Sequence, residues 1–449
     1  MSDQVFVGDV VLPDRVLEGG HVLVSGGIVQ HVGMGSPPAG ERYGGPGVLV
    51  LPGAIDSQVH SRSQKDQEDF IWSTRSAAAG GVTTIIDMPY DDGDLICTAE
   101  RLSSKREAAE AQARVDFGLY ATIDPNDGPG HIDALVAAGA AGFKFSTFGT
   151  HPLRFPRITP AMMFDCFRAI APHGLIAGVH NEDDDVVRTM TERVRQSGDT
   201  SPAAHGRARP PVSEALASAQ VYELGAATGC AAHIVHSSIA RGYEMAASYR
   251  SRGYEATIEA CIHYLMLDED DVCRLGGLAK VNPPIRPRDQ REALWRHLAV
   301  GNVTVVSTDH VSWSLDRKVN ADMFQNASGV PGLEVMLPLL LKGLTERDLC
   351  LSHAARLLAH NPAHLFRLGM TKGALAVGRD ADIVLSTKAK HRYDPSRFGN
   401  NVVNWSPYEG LDLPYRVDAV LVRGKPVSID GKVVAQPGSG RFQRPLSRG

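Results

Sequence analysis

The sequence predicts an α/β fold: a closed (β/α)₈ TIM barrel with a small β-sandwich domain formed by both termini. Two observations lead to this prediction. In the middle of the chain, apolar strand-like segments alternate with helix-like segments in at least seven consecutive units, and parallel strands joined in this way close into a barrel. Both ends of the chain instead contain short apolar runs separated by glycine and proline, without a helical period.

The terminal segments are predicted to be β structure. Residues 1–52 contain the runs VFVGDVVL, GGHVLVSGGIVQHVG and GPGVLVLPG, and residues 372–449 contain ADIVLST and VDAVLVRGKPVSIDGKVVA. The Asp430-Gly431 pair inside the last run is a hairpin signal. We therefore assign 1–52 and 372–449 to two parts of one β-sandwich domain, and 53–371 to the barrel.

The barrel strands are predicted in chain order from apolar, β-branched runs that precede helical segments. The runs are GVTTIIDMP, VDFGLYATI, GFKFSTF, LIAGVHNED, AAHIVHSS, EATIEACIHY and NVTVVSTDH. Between them lie helical segments such as TAERLSSKREAAEAQA and EALASAQVYELGAATG. This single-file alternation is typical of a barrel rather than of two separate layers.

Composition excludes several function classes. The 46 basic and 51 acidic residues give a formal charge of -5, so the chain has no excess of positive charge that would favour binding of nucleic acid. Six cysteines without C-x-x-C spacing indicate neither a disulfide framework nor a thiolate zinc site and fit a reducing cytoplasm. No run approaches about 18 apolar residues, and no signal-peptide pattern opens the chain. We expect a cytoplasmic protein with a small-molecule partner and no membrane association.

Candidate catalytic groups stand where barrel strands end, which is where such barrels place their active sites. The segment PGAIDSQVHSR puts Asp56, Gln58, His60 and Arg62 on one side of an extended strand. Lys144 lies inside an apolar run, where an unpaired ammonium is costly. Three later strands end with His180, with His233 and His236, and with Asp309 and His310. Imidazoles and a carboxylate from separate strand ends can assemble one metal site.

The order of these motifs, PG-x-ID-x-x-VH, GFK, VH-x-E, HIVHSS and STDH, resembles the cyclic amidohydrolases of the amidohydrolase superfamily: hydantoinases, dihydropyrimidinases, allantoinases and dihydroorotases. The resemblance covers nearly the whole chain. It includes AAAGGVTTIIDMP (77–89), KVNPPIR (280–286), KGALAVGRDADIVL (372–385) and WSPYEGLDL (405–413). It implies a hydrolase acting on carbon–nitrogen bonds of cyclic amides, and a homo-oligomer, a tetramer or a dimer.

The resemblance also implies two divalent metal ions, usually zinc, bridged by a carbamylated lysine, for which Lys144 is the matching residue. A carbamate carries negative charge and two oxygens, so it can bridge two cations. His180 and His236 would hold one metal, and His60 and Asp309 the other. A metal-bound hydroxide would attack the amide, with Asp309 as the general acid and base.

One position departs from the family pattern. Gln58 stands where the family has the first histidine of an H-x-H motif, and a carboxamide oxygen is a poorer ligand than imidazole. The second metal could therefore be weakly bound, be contacted by Gln58 at longer distance, or be absent. A catalytically silent scaffold is a further alternative, against which the other intact positions argue.

The substrate is less defined. Arg62 matches a residue that meets the substrate carboxylate in dihydroorotase-like relatives, or else forms a structural ion pair, and Asn282 matches a residue that hydrogen-bonds the ring. Tyr90 replaces an asparagine expected in dihydroorotases, and Gly149 replaces a tyrosine expected in dihydropyrimidinases. These departures favour hydantoinase-like or allantoinase-like opening of a cyclic amide or ureide ring, with dihydroorotase-like and dihydropyrimidinase-like activities as alternatives.

Three further predictions concern neighbouring residues. The segment 146–159, with His151, Arg154 and Arg157, is expected to form a loop over the barrel mouth that could recognise an anionic or ureido substituent, although its charges could equally be solvated. His263 and His310 are expected to support the site rather than bind metal.

Overall fold

A computed structural model describes residues 3–64, 67–150, 155–398 and 402–446. The strands are β1 (Gln4–Val11), β2 (Val16–Ser25), β3 (Ile28–Gly33), β4 (Glu41–Pro52), β5 (Ala54–His60), β6 (Val82–Asp87), β7 (Tyr90–Asp91), β8 (Asp94–Leu95), β9 (Asp116–Ala121), β10 (Gly142–Ser146), β11 (Ile176–His180), β12 (Ala231–Ile234), β13 (Ala256–Cys261), β14 (Val305–Ser307), β15 (His310–Val311), β16 (Ile383–Arg392), β17 (Asp412–Val422), β18 (Lys425–Ile429) and β19 (Lys432–Val433).

The α-helices are α1 (Phe70–Gly80), α2 (Ala99–Gln112), α3 (Ile132–Ala138), α4 (Pro160–Ile170), α5 (Asp184–Gln196), α6 (Ala204–Ala208), α7 (Pro211–Thr228), α8 (Ala240–Ser251), α9 (Ile262–Met266), α10 (Glu269–Leu275), α11 (Arg288–Ala299), α12 (Met336–Glu346), α13 (Ser352–Ala355) and α14 (Asn361–Leu365). Across the described ranges, no helix is both long and apolar enough to pass through a lipid bilayer.

The barrel sheet has nine strand segments in the order β14-β13-β12-β11-β10-β9-β6-β5-β15. The two segments at the ends of this order, β14 and β15, are consecutive in the chain and are separated only by Thr308 and Asp309. β14 pairs in parallel with β13, and β15 pairs in parallel with β5. The interrupted segment therefore acts as one strand that closes the ring, and the predicted (β/α)₈ barrel is confirmed.

The barrel strands are buried on both faces, which is usual for parallel strands covered by helices. Every residue of β6, β9, β10 and β11 is buried. Helix α1 shows how the sequence sets the connections: the Asp69 side chain caps its first turn, and it ends at Gly81, whose φ of 91° is left-handed. A side chain is disfavoured in this conformation, so glycine permits the chain to turn directly into β6.

The terminal segments join in a separate eight-stranded mixed sheet with the order β19-β18-β17-β16-β4-β1-β2-β3. The N-terminal and C-terminal parts meet where β4 pairs antiparallel with β16, with Pro52 opposite Ile383. The expected terminal β domain is thus one hydrogen-bonded sheet. We propose the predicted boundaries at 52/53 and 371/372 as its junctions with the barrel, since β4 ends at Pro52 and β16 begins at Ile383.

A buried charge cluster fastens the terminal sheet to the barrel. The Lys372 ammonium lies 2.5 Å from Asp116, 2.9 Å from Asp380 and 2.8 Å from Asp382, and the Arg423 guanidinium also contacts Asp116. Burial alone would lower the pKa of Lys372, but the three carboxylates raise it above its ordinary value. The three acids would suit a cation by their spacing, yet the lysine ammonium already lies among them, so the cluster is structural.

Replacing Lys372 by methionine should destabilise the protein by about 3–5 kcal/mol, because buried carboxylates lose their cation. A raised lysine pKa means that its contribution is complete at neutral pH and is lost only on strong alkalisation. The free energy of unfolding at pH 7, from chemical denaturation, is the measurement, and Lys388→Met, at an exposed position of β16, is the control. A loss within about 0.5 kcal/mol, as expected for surface changes, would contradict the anchoring role.

Candidate active site

The predicted ligand residues converge on one cavity at the carboxyl ends of the barrel strands. The cavity has a volume of about 440 Å³. Its lining includes seven residues singled out from the sequence: Gln58, His60, Lys144, His180, His236, Asn282 and Asp309. Their positions along the chain span more than half its length, so the barrel alone brings them together.

Asp309 lies at the break in the closing strand. Its φ of 47° is left-handed, an uncommon conformation for a residue with a side chain. Its Oδ1 accepts a hydrogen bond from Gln58 Nε2 at 2.7 Å and lies 3.3 Å from His60 Nε2. The interruption between β14 and β15 thus places the Asp309 carboxylate at the cavity. The pairing of both flanking strands stabilises the strained backbone conformation of this residue.

His180 and His236 both line the cavity, and their rings are in contact, with His180 Nδ1 3.0 Å from His236 Nε2. Burial lowers the pKa of both imidazoles, and that of His236 falls well below its ordinary value. Both rings are therefore neutral at physiological pH, the form that binds metal ions. The backbone of His236 is held by Glu259, whose carboxylate accepts from its amide at 3.1 Å and from Ser57 Oγ at 2.6 Å.

Glu182 orients the His180 ring through the nitrogen that does not face His236. Its Oε2 lies 2.8 Å from His180 Nε2 and also accepts from the Arg209 guanidinium. An ionised carboxylate can only accept, so His180 carries its proton on Nε2 and keeps the Nδ1 lone pair for the cavity. The sequence motif VH-x-E contains Glu182, but this orienting role becomes visible only in the structure.

Glu182→Gln should weaken metal binding about 10- to 100-fold, the usual effect of losing a carboxylate behind a metal-binding histidine. The dissociation constant for zinc, measured by competition with a chromophoric chelator, tests this. Glu192→Gln, an exposed change on the following helix α5, serves as the control. Unchanged zinc affinity in Glu182→Gln would show that the carboxylate does not tune the imidazole.

Lys144 is the unusual cation of the cavity. It is 2% exposed, and its Nζ has a carbonyl contact at 3.4 Å to Phe145 and lies 4.6 Å from the centre of the Phe155 ring. Burial lowers the pKa of Lys144 to about 7. Within the described ranges no carboxylate forms an ion pair with this amine, so the pocket disfavours a permanent ammonium.

The structure places the other predicted residues as follows. Asn282 lines the cavity, and its buried Oδ1 has no hydrogen-bond partner within the described structure. Arg62 is outside the residues that line the cavity and pairs with Asp91 at 3.2 Å. Arg157 likewise lies outside the lining and pairs with Asp184 at 3.3 Å, while His151 and Arg154 fall outside the described residues.

The two supporting histidines also lie apart from the cavity lining. His310 Nε2 contacts Glu68 Oε2 at 2.8 Å, and its Nδ1 accepts from the amide of Gly332 at 3.1 Å, so both ring nitrogens are used. His263 is fully buried, with its ring against Tyr264. His233, at the same strand end as His236, contacts Thr257 Oγ1 at 2.9 Å.

Sequence reasoning did not identify the aromatic wall of the cavity. The Tyr90 ring stacks on His60, with centroids 5.7 Å apart and planes at 10°, and Phe155 meets Tyr90 edge-on at 4.8 Å. Trp313 forms another part of the lining, with the Arg317 guanidinium 4.8 Å from its ring centre. The available signal was Tyr90, an aromatic residue shortly after β6, and such a residue is by itself too common to be diagnostic.

The donor set fits divalent metal ions. Two neutral imidazoles face each other at 3.0 Å, and the oxygen Gln58 Oε1 is buried without a hydrogen-bond partner among the described residues. A buried acceptor without a partner calls for a water or an ion. Imidazole nitrogens together with carboxylate and amide oxygens are ligands that suit divalent first-row metals.

Comparison with known proteins shows that this chain is similar to amidohydrolases. Residues 49–427 match the model of the Amidohydrolase family. An allantoinase of Rubrobacter xylanophilus is 34% identical over 449 residues, covering 96% of this chain and 98% of its own. An L-hydantoinase of Paenarthrobacter aurescens is 30% identical over 403 residues, covering 88% and 87%. The structure of L-hydantoinase (dihydropyrimidinase) from Arthrobacter aurescens aligns with a TM-score of 0.92 at 28% identity over 100% of both chains.

The family match extends over most of the chain, so this protein belongs to the amidohydrolase family. Within that family it is a homologue, over nearly its full length, of the cyclic amidohydrolases. It is a hydrolase of carbon–nitrogen bonds in cyclic amides. The resemblance found in the sequence motifs is therefore confirmed.

Proposed function

We propose that this enzyme opens a five-membered cyclic ureide ring of the allantoin or hydantoin type, using two divalent metal ions. The observation that carries the proposal is the convergence of five metal-ligand candidates from different strand ends on one cavity: His60, Lys144, His180, His236 and Asp309. Such a concentration of buried ionisable groups in one pocket is typical of catalysis.

The metal ligands would divide into two groups. His180 and His236 would hold one ion, His60 and Asp309 the other, and a carbamate on Lys144 would bridge them. The low exposure of Lys144 and the absence of an ion-pair partner among the described residues support this role, because a carbamate removes the buried positive charge. When bound, the two ions lower the pKa of a water molecule and polarise the substrate carbonyl.

Asp309 is suited to move the proton. Its Oδ1 is held by Gln58 and faces His60, so the carboxylate is fixed at the cavity wall. From there it can accept a proton from the attacking water and deliver it to the leaving ring nitrogen, as a general base and then a general acid. The products are a carboxylate and an opened ureido group.

The cavity wall favours a substrate rich in N–H groups. Asn282 Oδ1 and Gln67 Oε1 are buried acceptors without partners among the described residues, and both side chains line the cavity. Arg209 and Arg317 also line it and can donate to carbonyl oxygens. A ring amide together with an exocyclic ureido group supplies both kinds of partner, so allantoin is the first substrate to test.

A second candidate is a hydantoin with an apolar or aromatic substituent. The aromatic wall formed by Tyr90 and Phe155 favours it, since the two rings are packed edge to face beside the metal ligands. An apolar substituent would bury surface there at roughly 25 cal/mol per Å². The two candidates therefore place their substituents against different walls of the same cavity.

Metal analysis combined with a ring-opening assay tests the proposal. The purified protein is analysed for zinc, manganese and cobalt, and assayed at neutral pH with allantoin, hydantoin, dihydrouracil and dihydroorotate. About two metal ions per chain and chelator-sensitive turnover of allantoin or hydantoin would support it. Turnover confined to dihydrouracil or dihydroorotate would overturn the substrate proposal, and turnover unaffected by complete metal removal would overturn the metal mechanism.

We also propose that the enzyme works as a homo-oligomer, a dimer or tetramer, in a reducing compartment such as the cytoplasm. The six cysteines are all unpaired, four of them buried, which is compatible with reducing conditions.

A further inference from the structure

The two ends of the Gln58 side-chain amide differ in their contacts: the nitrogen has a hydrogen-bond partner, and the oxygen has none among the described residues. Gln58 is 2% exposed and lies in β5, where its Nε2 donates to Asp309 Oδ1 at 2.7 Å. An ionised carboxylate only accepts hydrogen bonds, so the NH₂ end must face Asp309. The oxygen end, Oε1, is buried and has no hydrogen-bond partner among the described residues. A buried acceptor of this kind is costly unless another group or an ion contacts it.

The amide belongs to the same small cluster as His60. His60 Nε2 is 3.3 Å from the same Asp309 oxygen that Gln58 contacts, and His60 Nδ1 is directed to Ser63 Oγ at 3.2 Å. The three side chains thus meet at Asp309 Oδ1, and together they carry one imidazole nitrogen, a carboxylate and a carboxamide oxygen. The opposite group, His180 with His236, offers two imidazole nitrogens.

We propose that Gln58 Oε1 is a ligand of the ion held by His60 and Asp309, and that this oxygen-rich site takes manganese(II) while zinc fills the His180–His236 site. The inference rests on the proposed function, because it requires two metal ions. It assigns Gln58 two roles at once: its N–H group positions Asp309, and its oxygen replaces an imidazole in the metal site.

The physical reason lies in ligand preference. Imidazole suits zinc, whereas carboxylate and carbonyl oxygens suit manganese and magnesium. For a given site zinc still binds more tightly than manganese, but each nitrogen replaced by oxygen reduces that advantage. When zinc is limiting, it therefore occupies the site with two imidazoles, and manganese in excess occupies the site that contains Gln58.

The test compares the wild-type protein with Gln58→His. Metal-free protein is incubated with bicarbonate, one equivalent of zinc and an excess of manganese, and its bound metals are measured after gel filtration by mass spectrometry and by the electron paramagnetic resonance of manganese. We expect one zinc and one manganese per wild-type chain. When both proteins instead receive two equivalents of zinc with the same excess of manganese, the zinc-to-manganese ratio at this site should be at least about tenfold higher in Gln58→His than in the wild type.

Gln196→His is the control for adding one histidine, since Gln196 is an exposed residue of α5 outside the cavity lining, and it should retain the wild-type metal pattern. Gln58→Leu, which removes the oxygen without adding an imidazole, should keep the zinc and lose the manganese signal. Circular dichroism and melting temperature verify that each variant folds.

Two results would overturn the inference: an unchanged manganese signal in Gln58→Leu, or the same zinc-to-manganese ratio in Gln58→His and wild type. A wild-type protein that binds no second ion at all but opens the ring with one zinc would also overturn it, while leaving the ring-opening function intact. A protein that binds both ions as expected but opens none of the rings would refute the proposed function alone.

Discussion

Replacing Lys144 by alanine is expected to abolish ring opening and to reduce bound metal below about half an equivalent per chain. The variant loses the group proposed to bridge the two ligand pairs, so two cations in one small cavity would repel each other without an intervening anion. We expect kcat to fall by at least about three orders of magnitude, as for other residues that act as part of one catalytic unit. Metal content and steady-state turnover are the measurements.

A short-chain carboxylic acid should partly restore metal binding and turnover in Lys144→Ala, because its two oxygens can replace those of the carbamate. The exposed change Lys388→Met provides the control for the loss of one lysine. Full activity in Lys144→Ala without any added acid would refute the bridging role. Restored activity with a primary amine instead of an acid would show that Lys144 acts as an amine.

Asp309→Asn is expected to lower kcat by about 10²- to 10⁴-fold, the range associated with general acid and base catalysis. The change preserves size but removes the proton acceptor, and its amide group would meet the N–H donor of Gln58 that now contacts Oδ1 at 2.7 Å. The measurement is kcat and KM for the best ring substrate, together with metal content, since Asp309 is also a proposed ligand.

Asp316→Asn is a suitable control, because Asp316 is an exposed carboxylate in the segment that follows β15 and does not line the cavity. If Asp309→Asn retained two metal ions and near-normal kcat, another group would have to move the proton. If it lost one metal but kept kcat, Asp309 would serve only as a ligand.

Much of the site was accessible from the sequence for a local reason. A buried parallel strand is a short apolar run, and the first polar residue after it reaches the carboxyl edge of the sheet. This reasoning identified His180 and His236, while Lys144 was identified as a cation inside such an apolar run; all three line the cavity. The alternation of strands and helices likewise predicted the barrel, since helix and strand periods are properties of neighbouring residues.

The sequence could not decide between alternatives that depend on distant contacts. Arg62 was predicted either to bind substrate or to form an ion pair, and the structure pairs it with Asp91. Tyr90 entered the sequence reasoning only as a departure from one family pattern, whereas the structure stacks its ring on His60. Side-chain partners are set by packing between elements, which periodicity does not encode.

By itself, therefore, the sequence determined the family, the barrel and the residue types offered at each strand end, because these follow from local pattern and motif order. Tertiary structure alone decided how the ring closes, through an interrupted strand that puts Asp309 in a left-handed conformation. It also decided that the nitrogen of Gln58 faces Asp309 and leaves its oxygen buried without a partner among the described residues. The two residues are 251 positions apart, and only closure of the barrel brings them within hydrogen-bonding distance.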